Sequence, residues 1–451
     1  MTVPPLYPHQ KDDLNFLQQT PRALNYSDCG TGKTRTTLEI LRHALTPGER
    51  ALILAPKSIL QPAWGNDLDQ FTPELIYSIA YAKNREAAFR SESQVIITNH
   101  DACAWLTANS NYLKHFNYLV VDEASAFRNS SQRTQALIKL RNRFDRRLLM
   151  TGTPYVNSLQ DLWRPAYICD DGQRLGKSFY AYRGEMCEPY TLPNGITLWR
   201  DKPGMEKVAF ELLRDITIRH RLKDCTNIPP NRTINLRFEL SATHRRAYEQ
   251  LLKHSILEFT SGNVSAQNAL VLRTKLLQLL SGAVYDDFGQ YKLIASDRYE
   301  LVAQRTNESP QNIVAFLWQH QKDQLKRLIP GSEVIDGRTP VLRRNELVQE
   351  FQNGQIGTLL VHPKTGAHGL TLTAGHETIW ASPTYNAEDF KQLNHRIYRN
   401  RQTKATNTVL VEAKNTVEQD VFLKLQGKLT NATDFLLLFC SPNATELQPD
   451  E

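Results

Sequence analysis

An α/β fold, with two parallel-sheet lobes in tandem and a helical inter-lobe insertion, is the architecture that the sequence predicts. Three observations predict it. Short apolar runs alternate with helical patterns over residues 1–165, the alternation lapses over 166–300, and it returns over 301–430. Runs that short and that uniformly apolar read as strands buried on both faces. Strands of that kind separated by helices build parallel sheets.

In the first stretch the candidate strands are Ala51–Ala55, Val95–Thr98, Tyr118–Val121 and Arg147–Met150, with helical spacing over Thr34–Ala44 and Gln132–Arg141. Residues 170–205 are rich in Gly, Pro and Tyr and read as irregular. Residues 206–223 and 241–281 read as helical, with a strand-like piece, Arg232–Glu239, between them. Strand candidates then resume at Ile313–Phe316, Ser332–Ile335, Thr358–Val361, Thr378–Ala381 and Thr408–Val411. Residues 431–451 make a C-terminal tail. Its run Phe435–Phe439 is too short to span a bilayer and reads as a docking helix, and its last residues are polar and read as disordered.

Composition sets the class. Hydrophobic residues make up 41% and charged residues 22% of 451, which suits a globular chain with more than one core. The 54 basic against 47 acidic residues leave a charge of +7, compatible with a polyanionic partner. Six scattered cysteines form no CxxC pair and have no zinc-ligand spacing, so they read as free thiols of a reducing compartment. The first residues lack the basic start and apolar run of a signal peptide, and no stretch approaches 18 apolar residues. The expected location is the cytoplasm, or the nucleus if the source is eukaryotic, with no membrane partner.

The strongest local signal is Gly30-Thr31-Gly32-Lys33-Thr34, which follows a short apolar segment and opens a helix. That context suits a phosphate-binding loop: glycines let backbone N–H groups converge on phosphate, and the helix N-terminus adds its dipole. Lys33 would reach the β- and γ-phosphates of ATP, and the Thr34 hydroxyl would hold Mg²⁺. The strict pattern asks for Gly at position 27, where this chain has Ser27. A partner stands directly after the apolar strand YLVV. There Asp122 would bind Mg²⁺ through water, and Glu123 would orient and deprotonate the attacking water. Alternatively, the two carboxylates simply favour a helix N-terminus. Thr151-Gly152-Thr153-Pro154 follows the next strand, where small hydroxyl residues could sense nucleotide state; alone it is also an ordinary turn. In the second lobe Gln392, Arg396 and Arg399 recur at spacings of four and three and should share one helix face. Such a face can present two guanidiniums to a γ-phosphate as arginine fingers, or serve as a solvated basic face touching DNA phosphate.

In this order the motifs resemble superfamily-two helicase-like ATPases, and within them the Swi/Snf-type branch, from about residue 5 to 425. Compact bacterial or viral members are the nearest in appearance. The resemblance implies that the two sheets are RecA-like lobes and that ATP is bound by the first. It makes Gln10, in Leu6-Tyr7-Pro8-His9-Gln10, the adenine-recognising glutamine, and it accepts Ser27, since the branch commonly lacks that glycine. Lys57 and Ser58 lie in a segment similar to one that contacts a DNA strand, and Asn99 and His100 in the next such segment. Asp336, Gly337 and Arg344 resemble strand-contacting elements of the second lobe, and Thr365 and Gly366 open a run similar to the fifth motif, in which Gly369 falls to the ATP site. Residues 218–223 with Pro229-Pro230 resemble the branch's inter-lobe connector. QLNHRIYRNRQ is similar to the sixth motif, with Arg396 and Arg399 at the finger positions. Ser125 stands where His is usual, His395 where Asp or Gly is usual, and Thr371 where Asn is common; these departures bear on coupling, through Ser125, Thr151, Gly152 and Thr153, more than on hydrolysis.

The implied function is an ATP- and Mg²⁺-dependent translocase on double-stranded DNA, which it grips by phosphates without reading sequence. A protein partner could dock on 166–300. The alternatives are a strand-separating helicase of DNA or RNA and, more remotely, a non-catalytic DNA clamp or a small-molecule P-loop kinase.

Overall fold

The computed structural model describes residues 3–191, 197–260, 266–286, 288–366, 370–399 and 402–440, apart from the side chains of 254–260 and 266–270. The chain divides into two compact units. One comprises Met1–Glu188, Trp199–Asn227 and Thr430–Glu451; the other comprises Pro189–Leu198 and Ile228–Leu429.

The first unit is built on Arg22–Asn25 (β1), Arg50–Ala55 (β2), Tyr77–Ala80 (β3), Val95–Asn99 (β4), Phe116–Asp122 (β5) and Arg146–Met150 (β6). After a separate two-stranded pair, Cys187–Thr191 (β7) with Thr197–Asp201 (β8), the short strand Thr217–Ile218 (β9) completes the sheet. The order is β3-β4-β2-β5-β6-β1-β9, and every pairing is parallel. Alternate residues serve opposite faces. Leu52, Leu54, Leu119 and Val121 belong to one core cluster, and Ala51, Ile53, Tyr118 and Val120 to the other. That double burial is why these strands read as continuous apolar runs. The chain returns to this unit at its C-terminal end: Phe435 and Leu436, in the helix Val417–Leu438, join the first of these clusters, and Phe435 packs edge-on against Tyr155.

Two local expectations are corrected here. Residues 170–205 are not irregular throughout, because Phe179–Met186 is a helix capped by Ser178 and β7 and β8 follow it. Residues 206–223 are not one helix: Met205–Leu213 is helical, but Thr217–Ile218 pairs with Leu24–Asn25 as an edge strand. Two β-branched residues at a sheet edge overrode the helical pattern.

In the second unit the sheet strands are Asn231–Phe238 (β10), Asn312–Ala315 (β13), Glu333–Ile335 (β14), Thr358–Val361 (β15), Glu377–Trp380 (β16) and Thr406–Ala413 (β17), with Ala283–Tyr285 (β11) and Tyr291–Leu293 (β12) pairing separately. Its order is β10-β17-β16-β13-β15-β14, again all parallel. Under it Arg298 reaches both carboxylate oxygens of Glu418, at 2.7 and 2.6 Å, and donates to the carbonyls of Ala381 and Val411. Both side chains are buried, and these acceptors offset much of the cost of burying the guanidinium, although its Nε has no partner among the described residues.

His320 is fully buried between the Tyr285 hydroxyl on Nδ1 and the Ser281 hydroxyl on Nε2, each at 2.8 Å. Burial pushes its pKa down to about 4 from an ordinary 6.5. Between those values only the unfolded chain takes up the proton, so stability falls as pH drops from 6.5 toward 4 and levels off below. The expected loss is about 3 kcal/mol, from about 1.4 kcal/mol for each pH unit. Denaturant unfolding of the second unit should show it in the native chain. The His320→Gln variant should show a flatter pH profile; an equally steep one would refute the assignment.

Candidate functional site

In the first unit the predicted residues gather at one edge of the sheet. The phosphate loop leaves β1, Asp122 ends β5, and Thr151 follows β6; these three strands are neighbours in the order β5-β6-β1. The C-terminal ends of parallel strands are where open α/β sheets bind ligands.

The loop is shaped by its glycines. Gly30 and Gly32 have φ of 90° and 86°, conformations an L side chain avoids. A Cβ at Gly32 would also collide with the Gln10 amide. Gln10 is buried, and its Oε1 accepts from the Tyr7 backbone N–H at 3.0 Å. Lys33 opens the helix Lys33–Ala44 and turns its ammonium back on the loop, donating to the carbonyls of Ser27 at 2.7 Å and Asp28 at 3.0 Å. Thr34 sits one residue into the helix, half-buried, and Thr31 donates to the Asp28 carbonyl at 2.9 Å.

At the end of β5 the Asp122 carboxylate is fixed on both oxygens: Trp64 Nε1 donates to one at 3.0 Å, and the Glu123 backbone N–H to the other at 3.0 Å. Glu123 has φ 50°, and Ser125 is buried in the short turn Ala124–Phe127 behind it. Thr151 and Thr153 are buried with hydroxyls 3.4 Å apart, and Gly152 lies over the loop, where a Cβ would stand 3.4 Å from Cys29 Sγ.

The resemblance gave strand-contact roles to Lys57, Ser58, Asn99 and His100. Lys57 is exposed and Ser58 half-buried in the turn after β2, while Asn99 accepts from Arg85 at 3.1 Å. His100 is buried, edge-on to Phe127, with Nε2 at 2.8 Å from the Asp122 carbonyl, so in this structure it props the carboxylate strand.

Residues that sequence reasoning passed over surround the loop. His9 Nε2 bonds the Thr31 carbonyl at 2.7 Å. Asp28 pairs with Arg219 at 3.0 Å and accepts from the Leu222 N–H at 3.1 Å, while its own N–H donates to the His220 carbonyl at 3.0 Å. His9 had a signal, since it stands beside Gln10; Arg219 had one only as part of the connector-like run 218–223, and its pairing with Asp28, 191 residues away, had none.

In the second unit the predicted helix face is corrected. The helix Ala387–Asn394 ends before Arg396, so Gln392 is helical but Arg396 and Arg399 lie in the turns beyond it. The two guanidiniums still converge: Arg396 donates to the carbonyls of Gln392 and Leu370, each at 3.2 Å, and Arg399 to Leu370 at 3.4 Å and Thr371 Oγ1 at 3.2 Å. Gln402, unassigned by the sequence, ties this turn down through the carbonyls of Thr373, Gly375 and Ile397. Gln392 is buried. Gly369 falls outside the described residues.

Asp336 pairs with Lys322 at 3.1 Å, and Arg338 N–H donates to it at 2.9 Å. Burial pushes its carboxyl up, but those donors outweigh burial and leave it below the ordinary value. Gly337 is exposed, and Arg344 is half-buried with a long contact to the Thr339 carbonyl. Thr365 is half-buried, but Gly366 is buried where a Cβ would collide with Val361. Packing therefore requires that glycine.

Among the described residues no cluster of His, Cys, Asp and Glu could hold a metal alone, and no helix is long and apolar enough to cross a membrane. Magnesium needs no such cluster, because it takes one or two protein oxygens and completes its shell with phosphate and water. Thr34 and Asp122, which the sequence pointed to for Mg²⁺, both lie at this edge of the sheet.

The chain is similar to protein p41 of Acyrthosiphon pisum secondary endosymbiont phage 1, with 29% identity over 93% of this chain and 95% of that protein. It is 26% identical to the Bacillus subtilis (strain 168) protein YwqA, named for an ATP-dependent helicase/translocase, over 94% of this chain but 48% of the relative. It is 24% identical to the Mus musculus chromodomain-helicase-DNA-binding protein 1-like, over 93% of this chain and 49% of the relative. The chain thus spans about half the length of these last two relatives. A solved Sulfolobus solfataricus SWI2/SNF2 ATPase core in complex with dsDNA aligns at 17% identity and a TM-score of 0.45, over 97% of this chain and 95% of that one. The SNF2-related domain model matches residues 9–283, and the helicase conserved C-terminal domain model matches 297–401. This chain belongs to the SNF2-related domain family of ATP-dependent helicase-like proteins.

Proposed function

We propose that the chain hydrolyses ATP to move along double-stranded DNA. One observation carries this reading: the ends of the neighbouring strands β5, β6 and β1 bring together a glycine-shaped loop with Lys33, the carboxylates of Asp122 and Glu123, and the hydroxyls of Thr151 and Thr153. The residues fit a nucleotide. The left-handed glycines leave the loop backbone open, and Lys33 holds only carbonyls that a phosphate can replace. Gln10 lies against the loop where an adenine edge would meet an amide.

Magnesium, bound through Thr34 and Asp122, would neutralise charge on the β- and γ-phosphates. Trp64 and the Glu123 N–H aim the Asp122 carboxylate. Glu123 takes the proton of the attacking water, and Arg396 and Arg399 neutralise charge developing on the γ-phosphate. Lys57, Ser58, Asn99, Arg344 and Thr365 grip DNA phosphates, while the anionic Asp336 holds Lys322 in place, so binding weakens with salt and ignores sequence. Phosphate release measured side by side with duplex, single-stranded and forked DNA and with RNA tests the proposal. Duplex DNA should stimulate most, and the enzyme should displace a triplex third strand without opening the duplex. Stimulation by single strands with duplex opening would favour the helicase alternative.

A further inference from the structure

The segment through which the chain leaves the first unit is laced onto the phosphate loop. Ile218 in β9 accepts from the Tyr26 N–H at 2.9 Å, and the His220 carbonyl accepts from the Asp28 N–H at 3.0 Å. The His220 N–H donates to Ser27 Oγ at 3.0 Å, and the Leu222 N–H to Asp28 Oδ2 at 3.1 Å. Arg219 is at the centre. Its guanidinium is 3% exposed, bonds the Tyr26 carbonyl and pairs with Asp28 Oδ1 at 3.0 Å. Six residues after Leu222 the chain re-enters the second unit, at Ile228.

Two consequences follow from charge and connectivity. Asp28 puts a carboxylate, 16% exposed, inside a loop that must receive a polyanion, and Arg219 supplies the balancing charge. Without Arg219 that carboxylate loses the cation bonded to it and repels phosphate more strongly, in a partly buried site where charges are weakly screened. Asp28 is also the joint between loop and departing segment, because one carboxylate holds both Arg219 and the Leu222 amide. Coupling of this kind is reciprocal: a nucleotide that orders the loop must also order the segment.

We propose that Arg219 is a positioning residue for nucleotide binding, and that the Asp28–Arg219 pair transmits occupancy of the phosphate loop to residues 217–222. The proposal rests on the ATP-site reading above, and the test separates the two. Binding of a fluorescent ATP analogue is measured without turnover on the full chain, with amide hydrogen exchange over 217–222 and thermal unfolding beside it. Arg219→Ala should weaken the analogue about tenfold, within the usual range of coupling between sites. Arg219→Ala with Asp28→Asn should restore affinity to within about threefold, since the stranded charge is gone. Asp28→Asn alone should lose the slowing of exchange that nucleotide produces over 217–222, measured at saturating analogue. If the double variant binds no better than Arg219→Ala, or if Asp28→Asn keeps the slowing, the pair is only structural and the proposal is overturned. A fall in melting temperature that tracks the loss of affinity in all three variants would overturn it equally. If the native chain binds no nucleotide, the ATP-site reading fails first and takes this one with it.

Discussion

Replacing Glu123 by glutamine is expected to leave ATP binding within a few-fold of the native chain and to lower turnover by about 10³-fold, the usual contribution of a positioned general base. Glutamine keeps the shape and removes the group that takes the proton. The neighbouring Asp122 would be undisturbed, because its carboxylate is held by Trp64 and by the residue-123 backbone N–H, which the substitution retains. Equilibrium binding of an ATP analogue and steady-state phosphate release with duplex DNA check the two halves separately. Full stimulated turnover in Glu123→Gln would remove this residue from the chemistry and return the carboxylate pair to a simple helix-terminal role.

Arg399→Ala should also spare nucleotide affinity and lose turnover, by about 10³-fold or more if the guanidinium acts as an arginine finger. Arg399 is the better of the two arginines to test. Arg396 is only 7% exposed and holds the carbonyls of Gln392 and Leu370, so its removal would also loosen the turn. Arg399 donates to Leu370 and Thr371 from a half-buried position, and Gln402 anchors the same turn independently. The measurement is turnover at saturating DNA and ATP. If the variant reaches native turnover there and merely needs more DNA, Arg399 grips phosphate of the nucleic acid and takes no part in hydrolysis.

Much of this was legible in the sequence because burial leaves a plain mark. Runs such as ALILA, VIIT and YLVV are strands covered on both faces, and DEAS and TGTP directly follow two such runs, YLVV and RLLM. What was not legible depends on distance along the chain. Nothing near Asp28 announces Arg219, and nothing near His100 shows that its ring faces the Asp122 carbonyl and away from solvent. The spacing of Gln392, Arg396 and Arg399 fitted a helix face, yet the helix ends at Asn394, whose side chain accepts from the Trp380 indole of β16 at 3.0 Å. Convergence of the two guanidiniums survives because both reach one carbonyl. That Gly366 is also packed tightly against Val361 is likewise invisible in the sequence.

The backbone at Glu123 has a wider implication. Three described non-glycine residues have positive φ: Glu123, Asp171 and Asn415. Aspartate and asparagine tolerate that region, whereas a glutamate held there costs the fold on the order of 1 kcal/mol. A glycine at 123 would relieve this tension while abolishing the base. On the reading proposed above, stability and turnover are therefore exchanged against each other at this one bend.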